Sequence, residues 1–257
     1  MNDVIGESLC FALSDQAERA RWHMEDIAWD RLDPRRASEP LRVLVREAAF
    51  SELTTTSATK RFLDEFSDDT DFTQWVSVWF FEETRHPQVL LRWLHRLGIV
   101  VDDQFLKRGR ATAPFMKSKF GTLVTNVISE LVASAAYAGI HATIDEPVLG
   151  AITKNLAGDE ARHAASFYAY AQRYLARSRE PGVDRRDAIK VVYLWFQDTV
   201  RHPVSEFVAK NGATPGMNVD ELRARVLQVV GALVGVPLDA QTDLRALLAK
   251  KELYETT

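Results

Sequence analysis

The sequence predicts an all-α fold, and three observations carry that reading. Apolar residues recur three and four positions apart along almost the whole chain, the period of an amphipathic helix. Runs of alternating polar and β-branched residues, which mark half-buried strands, do not occur. Proline, glycine and acidic clusters fall at intervals that leave stretches of helical length between them.

Taken in order, these breakers divide the chain into about eight helical segments. The first lies near 5–30, before Asp33-Pro34 and Pro40. A long one near 41–66 is closed by the acidic patch Ser67 to Asp71, and the next, near 71–97, by the polar stretch Gly98 to Pro114. Segments near 117–142 and 147–178 are separated only by Asp145-Glu146-Pro147. Glu180-Pro181-Gly182, Gly212 to Gly216 and Gly235 to Pro237 then delimit segments near 185–210, 218–234 and 238–252. The four segments within about 41–178 are long enough to be the core of a four-helix bundle, with short connections inside each pair and a longer crossover between pairs. The rest flank that core, and a single domain over 1–257 is expected.

Composition narrows the partners. A net charge of −4 with 26% charged residues gives no bulk attraction for nucleic acid or anionic lipid, so neither is expected. The single cysteine, Cys10, makes no intramolecular disulfide, and no basic, apolar and small-residue leader opens the sequence, which points to the cytoplasm. No uninterrupted apolar run approaches the roughly 20 residues of a membrane span. Val191 to Phe196, for example, is soon followed by Gln197 and Asp198.

The chemistry sits in a repeat. Glu82-Glu83-Thr84-Arg85-His86 and Asp159-Glu160-Ala161-Arg162-His163 share the form acid, Glu, any residue, Arg, His, each within a long helical segment. Glu and His three positions apart project from one helix face, one turn apart, so their oxygen and nitrogen atoms can meet at one cation. One such pair carries little information, since incidental pairs are common on solvated faces. Here, however, Glu83 and His86 interrupt an apolar stripe of Trp75, Trp79, Leu90 and Trp93, and Glu160 and His163 one of Ile152, Leu156, Phe167 and Ala171. Carboxylates and imidazoles on inward stripes are costly unless paired or metal-bound.

A di-metal site in a bundle core takes one Glu from each of two helices and a Glu-x-x-His pair from each of the other two. Glu130, on the stripe Leu123, Val127, Ser134 and Tyr137, stands as far before the turn at Asp145 as Glu160 stands after it. Reflecting Glu83 through the turn near Asp68 lands close to residue 54, which Glu52 misses by roughly 3 Å and Glu47 by roughly 10 Å. Glu52 shares the stripe of Val45, Thr55, Thr59 and Phe62; Glu47 falls among Ser51, Arg61 and Glu65 and is held in reserve. The expected ligands are therefore Glu52, Glu83, His86, Glu130, Glu160 and His163. Four carboxylates and two imidazoles suit two first-row cations, two iron ions first and a manganese/iron pair second. Asp159, Arg85 and Arg162 are candidates for the shell around the ligands, Asp159 by accepting the outer imidazole N–H; Glu82 reads as a surface charge.

These motifs resemble the soluble acyl-carrier-protein (acyl-ACP) desaturases, of the ferritin-like di-iron carboxylate superfamily, over about Val43 to Met217. Trp79, four residues before Glu83, and Ser51-Glu52 add to the likeness. The resemblance implies a ferritin-like bundle and a di-iron oxidase, often homodimeric, that takes electrons from a ferredoxin and removes two hydrogens from an acyl chain on its carrier protein. The desaturase pattern has a threonine where this chain has Ala133, and this chain is shorter; Ser134, Thr55 and Thr56 are alternative hydroxyls, or simply small residues between helices. Trp79, Tyr137 and Phe167, with these, are the candidate pocket lining, although residues of these types are more often plain core. Lys107, Arg108, Arg110, Lys117 and Lys119 offer a basic face for a carrier protein, or a solvated linker. Hydroxylation or N-oxygenation of a small molecule, and metal binding without catalysis, remain as alternatives. His23, His95, His141 and His202 have no Glu at ligand spacing, and Arg201-His202-Pro203 reads as a kink or break.

Overall fold

The computed structural model describes residues 8–110, 118–197 and 215–250. Lys117 and the step Arg201-His202-Pro203 lie outside them. Among the described residues the elements are helical: α1 (Leu9–Ala20), two short 3-10 turns, α2 (Glu39–Glu52), α3 (Thr55–Glu65), α4 (Thr70–Arg96), α5 (Asp103–Gly109), α6 (Lys119–Thr143), α7 (Pro147–Arg177) and α8 (Pro181–Phe196), followed by helices Val219–Val234 and Leu244–Ala249. This is the expected all-α, ferritin-like arrangement. α6 and α7 form one antiparallel pair, α4 packs with α2 and α3, and α1, α8 and the last two helices flank the bundle.

The segment expected as one helix near 41–66 is two, parted at Leu53-Thr54 directly after Glu52. Local chemistry accounts for the break. The hydroxyls of Thr54, Thr55 and Ser57 donate to the carbonyls of Ser51, Glu52 and Thr54 at 2.9, 2.8 and 2.8 Å. Such hydroxyls compete with the backbone for its acceptors and weaken a helix where several stand together. The stretch after Gly98, read as polar linker, contains α5, whose Gly109 lies against Leu53 and the Phe50 carbonyl; a Cβ there would come within 2.6 Å of Leu53. α4 runs through Pro87 without ending.

α4 and α7 are fastened to each other at both ends. At one, Arg173 of α7 pairs with Asp69 at 2.6 Å and with Asp71, while Asp69 caps α4 by accepting from the Phe72 N–H. At the other, the buried Glu146 carboxylate caps α7 through Val148 and Leu149 and accepts from the Trp93 indole at 2.9 Å and the Asp33 amide at 3.2 Å. The two Glu-x-x-His motifs fall midway between these fastenings. Apolar clusters flank that level: Phe62, Phe72, Trp75 and Phe167 belong to one, Leu90, Trp93, Leu149 and Ile152 to the other.

α6 is long and apolar enough, by length and composition, to cross a membrane, and 72% of its apolar window is buried inside the protein. No uninterrupted apolar run marks it, because Thr122, Thr125, Asn126, Ser129 and Glu130 are interleaved; it is apolar nearly all round, as a central bundle helix must be. Replacing the capping carboxylate is expected to loosen the bundle: Glu146→Ala should cost about 2–4 kcal/mol in urea unfolding, since it strands several buried N–H donors at once.

Candidate metal centre

Six ionisable side chains from α2, α4, α6 and α7 converge at one level of the core. Two sets of potential ligand atoms, Glu52, Glu83, His86 and Glu160, and Glu83, Glu130, Glu160 and His163, each lie within 4.8 Å of one another. Glu83 and Glu160 belong to both. The arrangement is that of two adjacent cation positions: two shared carboxylates, plus one further carboxylate and one imidazole for each position. His86 Nδ1 is 3.1 Å from Glu160, 3.5 Å from Glu52 and 3.9 Å from Glu83. His163 Nδ1 is 2.9 Å from Glu83 and 3.4 Å from Glu160. The two rings stack with centroids 5.9 Å apart.

Electrostatics show why these side chains call for cations. Burial pushes the Glu52 carboxyl up to about 7, with the charges of Glu160 and Glu83 adding to it against the pull of His86. Burial, then the same two neighbours, raises Glu130 well above the carboxylate range. Burial works against protonation of His86 and His163, yet the surrounding carboxylates override it and raise both rings. Among the described residues, the buried atoms Glu83 Oε1 and His86 Nδ1 have no hydrogen-bond partner, although carboxylate oxygens stand close by. Lone pairs aimed at a shared point, with nothing donating to them, fit metal ligation, and a pair of divalent ions would replace the protons.

Around the ligands the repeat is used crosswise. Asp159, in the α7 motif, accepts from Nε2 of His86 in the α4 motif at 3.1 Å; Glu82, in the α4 motif, accepts from Nε2 of His163 in the α7 motif at 3.1 Å. Each acid fixes the other helix's imidazole with Nδ1 turned inward. Arg162 joins both acids, donating to Glu82 at 3.0 Å and Asp159 at 2.6 Å. Burial pushes Asp159 up, but the bond and charge of His86, the charge of His163 and the Trp22 indole hold it down at about 2.

Glu82 corrects the sequence reading: it is 3% exposed and placed as Asp159 is. Its position in the repeat, identical to that of Asp159, was the signal. Arg85 differs from expectation too, because its guanidinium donates to the Trp22 carbonyl and lies over the Trp22 ring at 4.2 Å, with no hydrogen bond to either acid. Trp22 donates to Asp159 at 2.8 Å; no motif links a residue so distant in sequence to the centre.

The candidate lining divides. The Thr55 hydroxyl shares its one hydrogen between the Glu52 carbonyl and Glu83 Oε2, 2.8 and 2.9 Å away, and the buried Tyr137 hydroxyl donates to Glu52. Trp79 is buried against His163, with ring centroids 6.4 Å apart, and Phe167, at 5.5 Å. Thr56 is exposed and away from the centre, since it follows Thr55 by one position and points off the inner stripe. Ser134 donates to the Ala157 carbonyl at 3.0 Å, tying α6 to α7 instead of facing the ligands. Ala133, beside it, is half-buried. Glu47 is in neither ligand set, and His141 Nδ1 donates to the Gly150 carbonyl at 2.9 Å near the end of α6.

Glu160→Ala or His86→Ala is expected to abolish tight binding of two metal ions per chain, while Glu47→Ala keeps it, as read by metal analysis of purified protein. The crossed acids should act on opposite positions: Asp159→Asn weakens the one that includes His86, and Glu82→Gln the one that includes His163, each by about 10- to 100-fold in chelator competition.

Comparison with known proteins agrees with this architecture. No curated protein matches the chain. Among solved structures, a variant R2-like ligand-binding oxidase with aerobically reconstituted Mn/Fe cofactor superposes with a TM-score of 0.62 at 16% identity, covering 90% of this chain and 95% of that one. A variant with an Fe/Fe cofactor gives 0.58 at 17% identity, covering 90% and 94%. A form without metal cofactor gives 0.55 at 18%, covering 89% and 96%. At these identities the likeness is one of fold. The family model described as "Fatty acid desaturase" matches residues 44–189, the span that carries all six converging side chains. The chain belongs to the fatty acid desaturase family.

Proposed function

We propose that the protein is an oxygen-activating di-metal oxidase that breaks a C–H bond of a largely apolar substrate. The observation that carries this reading is the doubled ligand set with shared Glu83 and Glu160, buried in the bundle. Glu52, Glu83, His86, Glu130, Glu160 and His163 would hold two iron ions, or a manganese/iron pair as in the Mn/Fe-bearing fold relatives. When bound, such a pair supplies the activation of dioxygen. The chain's own residues do the remaining work. Asp159 and Glu82 fix the imidazoles, Arg162 balances both acids, and the hydroxyls of Thr55 and Tyr137 hold Glu83 and Glu52 in place. Trp79 and Phe167 wall the centre with rings that exclude water and suit a hydrocarbon.

Family membership supports an acyl chain on its carrier protein as substrate, a ferredoxin-type electron donor and a homodimer. The basic face for such a carrier is weaker than its residue count suggests, because Lys107 pairs with Asp103 and Lys119 with Asp68, both at 2.5 Å. Hydroxylation of a small molecule uses the same centre. The test is oxygen uptake by iron-loaded, chemically reduced protein given acyl-carrier thioesters in one series and free small ketones and alcohols in another. Substrate-dependent uptake with an oxidised product is expected in one of them; full iron loading with no uptake above that of the Glu160→Ala variant would sink the oxidase reading.

A further inference from the structure

α3 and α4 meet at two points that fix their register. Thr55 bonds Glu83 at 2.9 Å, and the rings of Phe66 and Phe72 lie 4.5 Å apart. Antiparallel helices tied there set Thr59 opposite Trp79, four residues, about 6 Å, from the Thr55–Glu83 contact and therefore beside the metal centre. Thr59 is 8% exposed and Trp79 3%. Neither Thr59 Oγ1 nor Trp79 Nε1 has a hydrogen-bond partner among the described residues.

Most comparable groups among the described residues find an acceptor. Thr73, Thr84, Thr125, Thr143 and Thr153 satisfy their hydroxyls on a helix carbonyl three or four residues back. The indoles of Trp22, Trp29 and Trp93 each reach an acceptor. A buried donor left unmatched is costly, so two at one level of the α3–α4 contact are a feature to be explained. The wall they share is aromatic, with Phe62 at 5.3 Å and Phe167 at 5.5 Å from the Trp79 ring.

We propose that Thr59 and Trp79 form a subsite for a neutral carbonyl oxygen of the substrate, whose carbon skeleton lies along Phe62 and Phe167. An sp² oxygen has two lone pairs and accepts from the indole N–H and the threonine O–H together. A carboxylate does not suit the place, because no cation among the described residues bonds into this wall to offset its burial. The four-residue spacing puts the oxidised carbon a few bonds from the carbonyl, which selects a compact oxygenated molecule over the middle of a long acyl chain. Only this last step rests on the oxidase reading; the subsite itself does not.

The test uses protein with ¹⁵N-labelled tryptophan indoles, loaded with zinc to keep it diamagnetic, its zinc content measured separately. The Trp79 N–H resonance is assigned by its loss in Trp79→Phe. Cyclohexanone and methylcyclohexane, alike in size and differing in the carbonyl, are titrated in parallel. Cyclohexanone should shift the Trp79 N–H and bind about tenfold more tightly than methylcyclohexane; Thr59→Val should remove about threefold to fivefold of that preference and Thr59→Ser restore it. Equal binding of the two probes, an unmoved Trp79 resonance, or a water cross-peak that persists at the indole through the titration would overturn the subsite. Protein that takes up no zinc would count against the oxidase reading alone, and the same titration on metal-free protein would then decide the subsite.

Discussion

Four carboxylates held in an apolar bundle repel one another, and everything around them answers that repulsion. The two imidazoles supply part of the answer, and burial, with the charges of Glu160 and Glu83 behind it, still pulls Glu52 and Glu130 upward. A bundle that only had to fold would place leucines at these levels. The stripes of α4 and α7 do so both above and below the centre, with Trp75 and Trp93 on one helix and Ile152 and Phe167 on the other. The cost of the polar level is borne by fastenings at the two ends of α4 and α7, where Arg173 and Glu146 fix the helices' relative height.

That fixed height explains why so much of the site was legible in the sequence. Once Glu83-x-x-His86 and Glu160-x-x-His163 are set on helices, rise per residue and turn position determine which glutamates of the neighbouring helices share their level, and Glu130 and Glu52 follow. The same arithmetic gave the pairing of helices and hence the fold class. It did not give the break after Glu52, because hydroxyl competition for backbone carbonyls is a local effect that periodicity does not register. It also could not separate Thr55 from Thr56: one position decides which hydroxyl faces the ligands, and that rests on where α3 restarts.

The surrounding shell was only half visible. The repeat marks both acids, yet helical periodicity puts Glu82 off the inner stripe of α4, so only Asp159 reads as the acid behind an imidazole. The crossed pairing depends on the antiparallel packing of α4 against α7, so that each motif's leading acid reaches the partner helix's ring. Arg85 and Arg162 occupy the same place in the repeat and do different things, because only one has Trp22 within reach. An internal repeat in sequence thus becomes an unsymmetrical centre through its flanking helices.

The break at Leu53-Thr54 makes Glu52 unlike the other five. Its partners ride on uninterrupted helices clamped into the bundle, whereas Glu52 is the last residue of its helix and adjoins a two-peptide joint. The Tyr137 hydroxyl reaches that carboxylate from α6, so the one ligand that its own helix does not carry past is anchored from across the bundle.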